Sequence, residues 1–295
     1  MNAPQPYAYA RSVKSDLSDE LINRSLIRPL AGIVVRLCYP TRVTPNQLTA
    51  AAILAGLCCA AAFFPGSPSL NALAGVFLFL KDLLDSADGQ LARARNQFTR
   101  LGRFLDSIGD VVVNIAVFVA IGLSLARAEG SLWWILVAAA AFACLTLRVS
   151  YHVFYQTSFL HLQHEYEGNR TTEEFRPEDL REDRWTVRLQ RMFLAIYGWQ
   201  DAMMVRLDRW CRRGKVNEDD RWFGDRTGIR WSGLLGLGTE NMTLVVFSLF
   251  DALPYYLLFN LIVANTVWVG CILYRRALAG KIAEGGMGEG ERKNL

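Results

Sequence analysis

Between Lys81 and Asp110 the chain reads KDLLDSADGQLARARNQFTRLGRFLDSIGD, a stretch holding Asp82, Asp85, Asp88, Asp106 and Asp110. Asp85, Asp88 and Ala92 fall at helical spacing, and Gly102, Asp106 and Asp110 recur at every fourth residue. Residues three and four apart lie above one another on a helix, so each set shares a face, and two antiparallel neighbours bring four carboxylates together. Carboxylates held that close repel one another, and divalent cations offset their charge. All-oxygen ligation suits Mg²⁺ or Mn²⁺ and argues against zinc; such an ion usually shares its ligand sphere with substrate phosphates. Around the acids, Gly89 and Ala92 leave a surface poor in side chains, and Arg93 offers a forked donor to phosphate oxygens. Gly102 lets the second helix come close.

The elements that must carry these residues are set by the distribution of charge. The 295 residues are 52% hydrophobic and 20% charged, figures that suit an ordinary soluble enzyme. Yet no charged residue occurs from Val43 to Leu80, from Val111 to Ala126, from Gly130 to Leu147 or from Ala252 to Tyr274. The mean hydropathy of +0.16 therefore averages an apolar phase and a very polar one. The pattern predicts an all-α integral membrane protein with six spans, near 46–64, 69–91, 104–127, 131–155, 231–252 and 255–276. It excludes a disordered chain and a disulfide-stapled secreted domain. Nucleic acid is not an expected partner, because a net charge of +4 is small and topology accounts for its positive residues. The six cysteines show no metal-ligand spacing and read as small hydrophobes.

An even number of spans puts both ends of the chain on one side. On this assignment every one of the 32 Lys and Arg residues except Arg127 falls on that same face, which predicts that it is cytoplasmic and carries the acidic cluster. The first twenty residues lack the apolar run of a cleavable signal, so the first span is expected to act as its own insertion signal. Residues 1–45 include a predicted amphipathic interfacial helix, with Leu21, Ile22, Leu26, Ile33 and Leu37 set against Arg24, Arg28 and Arg36. Residues 46–159 hold spans one to four, and residues 160–230 form a helical cytoplasmic insert. Residues 231–277 hold spans five and six, and 278–295 a polar tail. Acidic and basic residues nearly cancel in the insert and interleave with Trp185, Trp199, Trp210 and Trp222, which reads as a cap resting at the interface.

Asp85-x-x-Asp88-Gly89-x-x-Ala92-Arg93, then eight residues, then Gly102-x-x-x-Asp106-x-x-x-Asp110, resembles the signature of the CDP-alcohol phosphatidyltransferases. The likeness extends to six spans, an amphipathic amino-terminal helix, and Thr44-Pro45-Asn46 with Thr49 opening the first span; the insert lies outside it. The resemblance implies transfer of a phosphatidyl group from CDP-diacylglycerol, or a related CDP-lipid, to an alcohol with release of CMP. It further implies that Asp85, Asp88, Asp106 and Asp110 bind two metal ions and that Gly89, Ala92 and Arg93, with Gly102, serve the substrate. Asp110 would also deprotonate the acceptor, and the protein would be a homodimer. Two rivals are a Mg²⁺-dependent intramembrane prenyltransferase, which does not require the glycines and Arg93 in register, and a cation or proton transporter, whose acids belong near mid-membrane.

Three further residues carry two readings each. Asp82, one turn before Asp85, supports the cluster or is a solvated helix end. Arg148 binds a phosphate or the acceptor, or else snorkels to the interface. Glu240, with Asn241, selects the acceptor or is a neutral interhelical hydrogen-bond partner. His161, His164 and Glu165 have helical ligand spacing but read as a solvated turn. Val149-Ser150-Tyr151 is similar to the start of a segment in family members that act on phosphorylated polyols, where basic residues follow; here His152, Val153, Phe154 and Tyr155 follow.

Overall fold

The computed structural model describes residues 20–162, 182–212 and 220–292, together with Tyr9, Ser12, Phe175 and Asp179. Helix α1 spans Arg28–Cys38 behind a π-helical turn at Asn23–Ile27, and α2 spans Pro45–Phe63. Thr44 starts α2 through a reciprocal cap. Its hydroxyl accepts from Gln47 N at 3.3 Å, and its own N–H donates to Gln47 Oε1 at 2.9 Å, while Pro45 takes a first-turn position that needs no donor. Helix α3 (Pro68–Arg95) runs back along α2, and α4 (Arg100–Ala128) packs on α2 as well. Gly56 faces Val113 and Gly109 faces Ile53, so a missing Cβ on each helix admits a branched side chain of the other. In lipid, where burying apolar surface gains little, such close packing is what holds helices together. Thr44→Ala should cost about 1 kcal/mol, read as an earlier thermal unfolding of the detergent-solubilised protein.

Among the described residues, four helices are long and apolar enough to cross a membrane: α2, α4, α5 (Trp133–Leu162) and the continuous stretch Leu253–Glu284. That stretch contains α10 (Leu253–Phe259), a π-helical turn at Asn260–Ala264 and the start of α11 (Asn265–Arg292). Two of the six expected spans fall short of this criterion. Helix α3 has 28 residues, but Lys81, Asp82, Asp85 and Asp88 polarise its second half. The stretch expected at 231–252 is broken into α8 (Arg226–Ser232), a 3₁₀ turn at Gly233–Leu235 and the 13-residue α9 (Leu237–Leu249). Glycine is a poor helix former, and Gly236 sits extended (φ −74°, ψ 161°) at the break. The core joins Phe63, Leu78, Val117, Ile121, Leu145, Leu244 and Leu257 from α2, α3, α4, α5, α9 and α10.

Around α1, Leu21, Leu26, Ile33 and Leu37 are exposed, while Ile27, Ala31 and Val35 are buried against α3. Within the insert, α6 (Arg184–Arg212) packs on α4, α5 and α11, with Phe193 and Phe104 rings 5.4 Å apart. The buried Asp208 of α6 accepts from Tyr155 Oη (3.0 Å), Trp222 Nε1 (2.9 Å) and Arg212 Nε (2.7 Å). Arg275 of α11 covers the Tyr155 ring at 4.2 Å and donates to the carbonyl of Trp222 in the short α7 (Asp220–Phe223) at 2.7 Å, so this part of the insert shares a core with α5 and α11. Trp185, Met192, Trp199 and Trp210 are all exposed, and their intervals of 7, 7 and 11 residues place them in one stripe along α6. His161 lies in the last turn of α5; His164 and Glu165 lie outside the described residues.

Candidate active site

The acids converge because α3 and α4 are joined by a short, capped connector. Asn96 closes α3 in the left-handed region (φ 53°), with Gln97 N donating to Ala92 O at 2.8 Å. Thr99 opens α4 by accepting from Gly102 N at 3.0 Å. Arg95 fixes the neighbouring α1–α2 loop through the carbonyls of Cys38, Tyr39, Thr41 and Val43, at 2.5–3.0 Å.

Ligand oxygens of Asp85, Asp88 and Asp106 lie within 4.8 Å of one another. Three carboxylates at that separation, on two helices, offer the donor set of a hard divalent cation. Thr49 of α2 donates its hydroxyl to Asp88 Oδ2 and fixes its orientation. Asp110, one turn beyond Asp106, is placed differently: its Oδ1 is 2.5 Å from Nζ of Lys81, a buried side chain that also lies 3.6 Å from Asp82. Asp82 is buried and accepts from Asn241 Nδ2 at 2.8 Å, tying α3 to α9. The cluster is thus three grouped acids with a fourth on an internal ammonium.

These residues open onto a cleft of about 460 Å³, lined on one side by Lys81, Asp82, Asp85, Asp88, Gly89, Arg93, Asp106 and Asp110. A Cβ on Gly89 would first meet the flexible Arg93 guanidinium, at 3.4 Å, so the backbone there can be approached by a ligand. Arg93 Nε donates to the Ser12 carbonyl at 2.6 Å, and Arg28 lines the same corner. Ala92 and Gly102 do not line the cleft. A Cβ on Gly102 would lie 2.8 Å from Asn46 Oδ1 and 2.9 Å from Thr99 Oγ1, so this glycine admits the start of α2 against α4.

Helices α5 and α6 also wall the cleft, with Thr146, Ser150, His152, Gln156, Tyr197, Gln200 and Asp201. Tyr197 Oη donates to Ser107 O at 2.8 Å; burial, with Asp110 and Asp106 adding to it, pushes the phenol up from its ordinary value. Burial likewise pushes Asp201 up to about 6, which leaves it mostly ionised at neutral pH. His152 is buried, with Nδ1 3.2 Å from Ser232 Oγ and no hydrogen-bond partner at Nε2. Arg148 does not line the cleft. Its Nη2 donates to Glu240 Oε2 at 3.0 Å, and its Nη1 to Asn260 O at 3.0 Å and Asn265 Oδ1 at 2.8 Å. Glu240 Oε1 also accepts from Tyr256 Oη at 3.0 Å and from Asn260 Nδ2, so Arg148 and Glu240 complete each other inside the helix bundle.

Sequence reasoning missed Lys81, Tyr197 and Asp201. Lys81 lies four residues before Asp85 on the same helix face, a signal that was available. Nothing in the local sequence marks Tyr197 or Asp201.

The family profile described as CDP-alcohol phosphatidyltransferase matches residues 42–172, which include all four motif aspartates, α2, α3, α4 and α5. The chain is 33% identical over 147 residues to a bifunctional IPC transferase and DIPP synthase of Thermococcus kodakarensis, covering 50% of this chain and 31% of that protein. It is 38% identical over 99 residues to the inner membrane protein YnbA of Escherichia coli, covering 32% and 46%. With the archaetidylinositol phosphate synthase of Pyrococcus horikoshii it shares 36% over 81 residues, covering 28% and 42%. The matched stretches span less than half the length of these relatives. Four apolar helices and a membrane-protein relative make this an integral membrane protein. With its motif acids gathered from α3 and α4, the stretch 42–172 carries a match to the CDP-alcohol phosphatidyltransferase domain.

Proposed function

We propose that the protein transfers the phosphatidyl group of CDP-diacylglycerol, or an ether-lipid equivalent, to an alcohol and releases CMP. The observation that carries this reading is the grouping of Asp85, Asp88 and Asp106 within 4.8 Å at a cleft that also holds Gly89 and Arg93. Asp85, Asp88 and Asp106 would hold Mg²⁺ or Mn²⁺, with Asp110 adjoining them. When bound, such ions neutralise the diphosphate and improve CMP as a leaving group. Arg93 and the open backbone at Gly89 receive the nucleotide phosphate. The acceptor oxygen forms its bond to the lipid-linked phosphorus as the bond from that phosphorus to CMP breaks. The alcohol proton passes to Asp110, whose carboxylate Lys81 holds in place.

Sidedness and six crossings belong to the same proposal. The 28-residue α3 and the α8–α9 segment complete the six, and the side rich in Lys and Arg, with the cleft, faces the cytoplasm. The exposed Trp stripe of α6 and the exposed Leu21, Leu26, Ile33 and Leu37 beside α1 then rest at the headgroups. The test is release of CMP from CDP-diacylglycerol by protein in nanodiscs, supplied with Mg²⁺ and single alcohols. EDTA should abolish release and Mn²⁺ restore it. Folded protein that binds no cytidine nucleotide, with or without the cation, would end this reading.

A further inference from the structure

The cleft is electrically lopsided on its acceptor side. Of its basic residues among those described, Arg28 and Arg93 stand at the α1–α3 corner and Lys81 is bound to Asp110. The wall built by α5 and α6 contributes hydroxyls, amides, His152 and one carboxylate, Asp201, and among the described residues it contributes no Lys or Arg. Arg148, the basic residue of α5, is fully buried and turned to Glu240, Asn260 and Asn265 instead.

Asp201 differs from its neighbours on this wall. Gln200 is used, accepting from Ser150 Oγ at 2.5 Å and donating to Ile196 O at 2.8 Å. Tyr197 is anchored on Ser107, the residue that follows Asp106, which sets α6 against the acids. Asp201, one turn further along α6, is half-buried, lines the cleft and has no hydrogen-bond or ion-pair partner among the described residues. A half-buried carboxylate without a counter-ion is costly to keep ionised, and a ligand cation would offset that cost. An acceptor bearing a phosphate would bring negative charge against this carboxylate, with the aspartate cluster behind it and no free cation on its own wall.

We infer that the α5–α6 wall selects an acceptor alcohol that carries an ammonium group and no phosphate, with Asp201 as the partner of the ammonium. This rests on the proposed transfer and names its substrate class. Helix α6 lies outside residues 42–172, so the selecting carboxylate comes from a part of the chain that the family match does not reach. Asp201 acts on binding, while the motif acids act on the transferred group.

Two measurements separate this inference from the transfer reaction itself. The first is equilibrium binding of ethanolamine, serine, glycerol, inositol, glycerol 3-phosphate and inositol 1-phosphate to nanodisc-embedded protein holding Mn²⁺ and CMP. The amino alcohols should bind tightest. Asp201→Asn should weaken them about 10- to 100-fold, the worth of a charge-assisted contact, while Asp201→Glu keeps most of the affinity. Neither variant should change the affinity for Mn²⁺, read by its electron paramagnetic resonance, or for CMP. The second is turnover with CDP-diacylglycerol, where Asp201→Asn should raise KM for the amino alcohol by the same factor and leave kcat nearly unchanged. Tightest binding of a phosphorylated polyol would overturn the inference, and so would amino-alcohol affinity untouched by Asp201→Asn or absent altogether. Amino-alcohol binding that depends on Asp201 without any CMP release would uphold the selective wall and count against the proposed transfer.

Discussion

Asp106→Asn should lower metal-dependent CMP release on the order of 10³-fold, because one lost carboxylate ligand removes several kcal/mol of charge stabilisation from the transferring phosphoryl group. Asp106 is the group's member from α4, so its neutralisation leaves Asp85 and Asp88 on α3 without the carboxylate that α4 adds to the group. Binding of Mn²⁺, followed by electron paramagnetic resonance, should weaken in parallel. Asp110→Asn should behave differently. Its carboxylate sits on Lys81, outside the group of three, so turnover should fall while most of the metal affinity remains. Full turnover in Asp110→Asn with metal bound would remove Asp110 as the base, and equal metal loss in both variants would make it a ligand.

The second large effect is on stability. Glu240→Ala leaves the fully buried Arg148 guanidinium without its carboxylate, and Tyr256 and Asn260 without their acceptor. Removing one member of a buried ion pair costs about 3–5 kcal/mol, whereas replacing both with apolar residues of similar volume is often neutral. Glu240→Ala should therefore unfold far earlier than the parent in a thermal series, and Arg148→Met combined with Glu240→Leu should regain much of the loss. A double variant no better than the single would mean that the network is worth more than its charges.

The parts of the fold and site that were legible in sequence are the local ones. Helical spacing puts Asp85 with Asp88 on α3 and Asp106 with Asp110 on α4, and the short connector between the two helices brings Asp106 to the first pair. The apolar runs gave α2, α4 and α5 nearly whole, because few charges interrupt them. The break at Gly233–Gly236 was harder to see: that run is as apolar as a span, and only its glycines and the pull of α9 toward Asp82 through Asn241 interrupt it. Pairings across long separations left no local trace. Arg148 and Glu240 are 92 positions apart, and each alone reads as a ligand or as a structural group. Asp201 sits in an insert whose charges balance, so a carboxylate with no partner looks there like any other.

The connector between α3 and α4 accounts for a spacing that chemistry alone does not. Between Arg93 and Gly102 come the last two residues of α3, a left-handed cap at Asn96, three more connector residues, and the first two of α4. None of these eight residues lines the cleft. Their number works as a gauge: one residue inserted into or deleted from the helical ends of this stretch would shift the helix phase by about 100° and swing Asp106 out of line with Asp85 and Asp88. Length there is under mechanical control, and Arg95, Asn96 and Thr99 hold that length in one shape through the carbonyls and caps they serve.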